Sequence, residues 1–428
     1  MATQLNGIVR RDTEAFHGAR VVVDLKDESL LEKELTDLHI ATVSRDESEP
    51  LGLAMRELHG LEAAMEGLAN RTELVGLARR EGEGTYSADD DLTPLDMLLF
   101  YIRRKYAASH SGWRPTLAKE RFYENPEGSP YSGGNTGNPR ALKAGETFAL
   151  PRRAESDRTP IRIGVIDTPL FAHQDLAGRY LAAHDGLLAR TPDWVSFGGH
   201  CLLVCSLAAE QAPDAELVVR PVLDPATLTT TSWALAKEMV EAQNDELDIL
   251  VMALGGPTAD GEEPLVLARA CERTPALVKV AAIGNHGRPD DWWSGAFVGD
   301  EANRSPLEPT VPMWPSASPS VIGVGALNEE GGRAFFSPSM EEAPWTDCMA
   351  PGTNRRGLFL PGDVEMVRMN YDSGTVERTG EITDFGLGYA EWDGTSFATA
   401  HVGGAIAGIA QRRGVSAKEA ARLYLAGG

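Results

Sequence analysis

Four side chains, widely separated along the chain, have the types that acyl transfer demands: Asp167, His200, Asn285 and Ser396. Attack on a carbonyl carbon needs a hydroxyl, a base within hydrogen-bond reach, and a group that fixes the base's tautomer. It also needs donors aimed at the oxygen that gathers negative charge, each worth roughly 3 kcal/mol. Each residue alone has an ordinary explanation. A Ser at a helix start is commonly an N-cap, an Asp after a strand often caps the next helix, and a His at a helix start is more often structural. Together, however, they divide one piece of chemistry among them.

Such residues must be carried to one place by regular elements. From Pro160 onward, short β-branched runs alternate with helices rich in small residues: IRIGVID, a helix from His200, ELVVRPVL, a helix near 232–243, DILVMAL, a helix near 264–271, then ALVKVAAIG. This alternation predicts a parallel sheet with helices on both faces. In such sheets, ligands gather at the carboxyl ends of the strands. IRIGVI is followed by Asp167, ILVMAL by Gly255 and Gly256, and VKVAAIG by Asn285. His200 follows Gly198-Gly199 and opens CLLVCSLAA; Ser396 follows Asp393-Gly394-Thr395 and opens FATAHVGGAIAGIA.

With these residues in view, the chain resembles the subtilases. The resemblance rests, in order, on VIDTPLFAHQDL (165–176), GGHCLLVCSLAAEQAPDAEL (198–217), ILVMALGG (249–256), VAAIGNHG (280–287), WPSASPSVIGVGAL (314–327), FFSPSMEEAPWTDCMAPGT (335–353) and DGTSFATAHVGGAIAG (393–408), within residues 160–428. The Asp–His–Ser order is the one described for subtilisin, as is an amide side chain in the oxyanion hole. The resemblance implies a subtilisin-like α/β domain and a serine endopeptidase. Ser396 is then the nucleophile, His200 the general base and acid, and Asp167 the group that holds the imidazole. Asn285, with the Ser396 backbone N–H, binds the oxyanion. Ala253, Leu254 and Gly255 correspond to an edge strand that pairs with the substrate backbone, a mode that favours extended peptide segments. Ala282 and Gly284, just before Asn285, fall in the same substrate-binding group.

Cys201 and Leu202 depart from the usual Gly and Thr after the His, and the Cys201 thiol is placed to crowd the imidazole or to make it oxidation-sensitive. Thr168-Pro169 and Ala400 also differ from the usual pattern. The second reading, from another class, is therefore a catalytically silent peptide-binding module that keeps the fold. In secreted relatives a longer loop after the His-bearing helix helps to bind calcium; here the helix runs almost directly into APDAELVV. No cofactor is expected to be required, and only weak calcium binding by carboxylates elsewhere is left open. Two insertions stand out, 288–312 and 355–392. Asp290 and Asp291 in the first either favour a basic side chain in the pocket or form a solvated acidic loop. The second reads as paired strands, with turns at Asp372–Gly374 and near Gly380, and serves as lid, exosite or decoration.

The 428 residues suffice for two domains. Residues 1–122 are read as a smaller α+β domain: a strand at RVVVDL (20–25), a helix near 28–38, helical spacing over 51–69, and a helix from a Thr-Pro start over 92–107. Its role is left among propeptide-like self-inhibition, recognition of a partner, and permanent structure. Residues 123–159, dense in Gly, Pro, Asn and Ser, read as a linker or extended arm. The net charge of -23 opposes nucleic acid or anionic membranes as main partners, leaving a protein or peptide substrate. The opening residues contain no apolar run of signal-peptide length, and the four cysteines match neither a disulfide framework nor a zinc pattern, so a cytoplasmic enzyme is expected.

Overall fold

A computed structural model of the chain describes residues 3–5, 7–11, 14–68, 71–81, 92–123, 138–143, 145–153, 159–183, 186–191, 193–287, 307–370 and 375–427. The chain forms two compact units. One comprises Met1–Tyr123, Thr231–Val240 and Pro257–Arg273; the other comprises Glu124–Thr230, Glu241–Gly256 and Thr274–Gly428.

In the first unit, β1 (Thr3–Leu5), β2 (Ile8–Arg11), β3 (Glu14–Asp24), β4 (Ala41–Ser48), β5 (Leu53–His59) and β6 (Leu117–Tyr123) build an antiparallel sheet. Between them run α1 (Glu28–Asp37), α2 (Leu61–Glu66), α3 (Arg71–Glu81) and α4 (Pro94–Ser109). The Thr-Pro start of α4 is a full capping box, in which Thr93 accepts from the Asp96 N–H and Asp96 accepts from the Thr93 N–H. Leu95, Leu98, Leu99 and Ile102 of α4 join Phe16, Val21 and Val23 of β3 in one apolar core. The helical spacing read over 51–69 is only half correct, because Leu53–His59 is strand. Pairing with β3 on one side and β4 on the other outweighs local periodicity there. Gly60, at φ 82°, then breaks the strand from α2.

The second unit opens with the two-residue β7 (Arg140–Ala141), so the Gly/Pro-rich stretch read as a linker carries a strand. Next come β8 (Arg162–Asp167), β9 (Tyr180–Ala182), α5 (His200–Gln211), β10 (Glu216–Pro221) and β11 (Thr230–Thr231). After α6 (Ser232–Glu241), which belongs to the first unit, follow β12 (Ile249–Met252), α7 (Leu265–Arg273), also of the first unit, β13 (Val278–Ala282), β14 (Ile322–Leu327) and β15 (Thr346–Pro351). The chain ends with β16 (Arg355–Leu358), β17 (Asp363–Asn370), β18 (Thr375–Asp384), β19 (Tyr389–Trp392), α8 (Thr395–Arg413) and α9 (Ala417–Leu425).

The main sheet has the order β15-β14-β13-β12-β8-β10-β9, and its pairs are parallel, as the βαβα alternation predicts. β8 lies between β12 and β10, so the strand order reverses at the strand that ends in Asp167. The insertion at 355–392 contains the expected antiparallel pair, β17 with β18. Gly380 is not a turn between them; it lies inside β18 at φ 74°. The turn expected at 372–374 and most of the 288–312 insertion, including Asp290 and Asp291, lie outside the described residues.

Helix α8 packs across β12, β13, β14 and β15 and against α5. Its small residues permit that depth. A Cβ on Gly403 would fall 2.4 Å from Val251, and one on Gly404 would fall 2.5 Å from the Ala208 carbonyl oxygen of α5. Backbone cannot yield cheaply, so Gly404→Ala is expected to destabilise the protein by roughly 1–3 kcal/mol, read as a lowered denaturant midpoint.

Candidate active site

Asp167 is the last residue of β8, and its backbone carbonyl accepts from the N–H groups of Val222 (2.8 Å) and Leu223 (3.1 Å) just beyond β10. Its carboxylate is fully buried. One oxygen accepts from the Thr168 N–H at 2.7 Å, and both face His200 Nδ1, at 2.8 and 2.9 Å. A carboxylate only accepts, so Nδ1 carries a proton, and in the neutral tautomer this leaves Nε2 as the acceptor.

His200 is the first residue of α5, reached through the turn Ser196–Gly199. A Cβ on Gly199 would fall 2.2 Å from the Phe359 ring, so only glycine fits beneath that ring. The imidazole is also held edge-on to Trp392 at 5.7 Å and tilted against Phe397 at 5.6 Å. Since Phe397 adjoins Ser396, packing brings the imidazole to the element that carries the hydroxyl.

Ser396 lies in the first turn of α8, where the free backbone N–H groups and the positive dipole end are found. Its Oγ donates to the Ala253 carbonyl at 2.9 Å, which ties it to the segment leaving β12. Asn285, three residues beyond β13, accepts on Oδ1 from both the Thr395 N–H (2.8 Å) and the Thr395 hydroxyl (2.9 Å). A backbone N–H can only donate, so the amide orientation is settled: oxygen toward Thr395, NH₂ elsewhere. Ser396 and Asn285 are both buried.

Ala253, Leu254 and Gly255 run on from β12 without regular strand structure and are buried. The next residue, Gly256, exchanges two backbone hydrogen bonds with Trp314, both 2.9 Å. Ala282 ends β13, and Gly284 takes φ 96°, with a Cβ there placed 2.6 Å from His286 Nδ1. The Cys201 Sγ lies 3.9 Å from the Cys205 Sγ one turn along α5, and both residues are buried. Burial pushes the Cys201 thiol well up, so it stays protonated. The turn between α5 and β10 is only 212–215. Among the described residues, no group of three or more His, Cys, Asp or Glu side chains is arranged to hold a metal ion. No described helix is long and apolar enough to cross a membrane.

Several contributors were missed in the sequence. Thr395, which orients Asn285, was visible only as part of DGTS, and Thr168, which accepts from the Cys201 N–H at 3.3 Å, was noted only as a departure. The aromatic walls Trp392 and Phe397 carried no signal.

The sequence model of the subtilase family matches residues 159–425. The chain belongs to this family. It is 32% identical to subtilisin E of Bacillus subtilis (strain 168) over 196 residues, which cover 46% of this chain and 39% of that protein. It is 27% identical over 287 residues to the intracellular serine protease of Paenibacillus polymyxa, covering 61% of this chain and 73% of that protein. Among solved structures, a point mutant of the protease domain of PatA aligns with a TM-score of 0.43 and 23% identity, over 61% of this chain and 85% of that one.

On α8, five residues past Ser396, His401 has its pKa lowered to about 4, chiefly by burial and secondarily by Arg355. The unfolded chain therefore binds this proton more readily than the folded one. Stability is complete above about pH 6.5 and falls as the pH drops from there toward 4. His401→Gln is expected to flatten the slope of unfolding free energy against pH in that window.

Proposed function

We propose that this protein is a serine endopeptidase that hydrolyses peptide bonds through an acyl-enzyme on Ser396. The observation that carries the reading is the buried Asp167–His200 pair at the head of α5, packed beside the start of α8. Ser396 Oγ attacks the scissile carbonyl and His200 Nε2 takes its proton. Because the hydroxyl now donates to Ala253, proton transfer begins with release of that bond. Asp167 holds the imidazole and offsets its charge as it becomes imidazolium. The Asn285 NH₂, turned away from Thr395, and the Ser396 N–H receive the oxyanion. His200 then returns the proton to the leaving amine, and water repeats the sequence on the ester.

Extended peptide is the substrate form that suits 253–255, with Ala282 and Gly284 beside it, by backbone pairing in the manner of strand addition. No cofactor takes part in these steps. The first unit is read as a regulatory or recognition domain retained with the catalytic one. Polar ties knit its N-terminal sheet to α6 and α7: Trp233 Nε1 donates to Asp46 at 2.7 Å, Ser232 Oγ accepts from the Arg121 N–H at 3.1 Å, and Arg269 donates to Asp24 at 2.9 Å. A cytoplasmic location fits the free cysteines.

Ser396→Ala is expected to abolish both cleavage of unfolded casein and labelling by a fluorophosphonate; wild-type rates in that variant would refute the nucleophile. Asn285→Ala is expected to lower kcat about 100–1,000-fold with little change in KM. A retained first unit predicts a single full-length band for the wild type on prolonged incubation. A second band from cleavage within 123–159, absent in Ser396→Ala, would instead show a self-processed propeptide.

A further inference from the structure

Two short loops deliver the reacting groups. Ser196–Gly199 leads into His200, and Asp393-Gly394-Thr395 leads into Ser396. One short stretch, 138–141, is tied to both. Asn138 Oδ1 accepts from the Ser196 hydroxyl at 3.3 Å, and that same hydroxyl accepts from the Val367 N–H at 3.3 Å. Two residues on, Arg140 sits in β7, paired antiparallel with β19 so that Arg140 faces Glu391. Its Nη1 donates to Asp393 Oδ2 at 3.0 Å, and its Nη2 reaches Asn354 Oδ1 at 2.8 Å and Glu391 Oε1 at 3.3 Å.

The Asp393 carboxylate is buried and takes a further bond from the Asn354 N–H. A buried carboxylate stays put only where donors surround it, and a guanidinium fork holds it in one orientation. The turn is clamped from another side by the Gly394 N–H, which donates to the Gly352 carbonyl at 2.8 Å. From Asp393 the constraint passes along two peptide units to Thr395, which sets the Asn285 amide, and then to Ser396. Moving Asp393 would thus displace the hydroxyl and the oxyanion donor together.

We propose that Arg140 is a positioning residue for the nucleophile, acting through Asp393, and that 138–141 is a strap aligning the His200 and Ser396 loops. This rests on Ser396 being the nucleophile. Arg140 acts at one remove, through the Asp393 carboxylate. Its effect falls on the rate of bond formation rather than on affinity.

The test uses full-length Arg140→Ala and Arg140→Lys and the double variant Arg140→Ala/Asp393→Asn, with fluorophosphonate labelling resolved into kinact and half-saturating concentration. For Arg140→Ala, kinact is expected to fall about 10–100-fold, the range for an ångström-scale misplacement, with half-saturation nearly unchanged. Arg140→Lys restores part of the rate, and the double variant is no slower than the slower single one, because both act through one contact. Thermal unfolding is recorded alongside. If Arg140→Ala does not fold, Arg140→Lys and Asp393→Asn carry the same comparison. A wild-type kinact in Arg140→Ala, whatever its melting temperature, would make the strap merely structural and overturn the proposal. Absence of labelling in the wild type would instead overturn the peptidase reading, and this assignment with it.

Discussion

A carboxylate with no access to water is costly unless every oxygen facing the protein finds a donor, and Asp167 is such a group. Its donors come from two places only a fold can bring together: the Thr168 N–H at the turn leaving β8, and the His200 ring at the head of α5. Everything around the candidate site accommodates that pair. The strand order reverses at β8, the strand that ends in Asp167, and Gly199 lets the chain pass beneath the Phe359 ring to deliver the imidazole. One charge placed under a ring nitrogen also decides which nitrogen carries the proton and which is left facing away from it.

The second constraint is closeness of approach. Helix α8 reaches the site only because Gly403 and Gly404 let its backbone lie against Val251 and Ala208. Its first turn then locks to neighbouring strand ends by hydrogen bonds: Ser396 to the Ala253 carbonyl after β12, and Thr395 to the Asn285 side chain after β13. A helix held so firmly at its N-terminus presents ordered N–H groups without reorganisation, the condition under which electrostatic stabilisation is most effective.

Much of this was legible in the residues. The alternation of β-branched runs with small-residue helices gave the parallel sheet, and the residues following IRIGVI and VKVAAIG were found where a carboxyl-edge site requires them. What could not be read was of two kinds. At Leu53–His59 the apolar spacing reads as helix, and pairing with β4 across a short turn and with β3 farther back decided for strand. Arg56 inside that strand is buried against Glu28 and Glu32, which no periodicity reveals. Arg140 is the other kind. It stands in a stretch whose composition argues for a linker or extended arm, and its place follows from Asp393 and Glu391, some 250 residues away. Long-range ion pairs leave no local trace.

The most direct measurement is the crystal structure of the wild-type protein after reaction with a peptide boronic acid, whose boron becomes tetrahedral as the carbonyl carbon would. The expected result is a bond from Ser396 Oγ to boron, one boronate oxygen within hydrogen-bond distance of Asn285 Nδ2, and the Asp167–His200 contact unchanged. An adduct on another side chain, or an unmodified Ser396 at saturating reagent with His200 turned from it, would contradict the claim that these four side chains form one catalytic site.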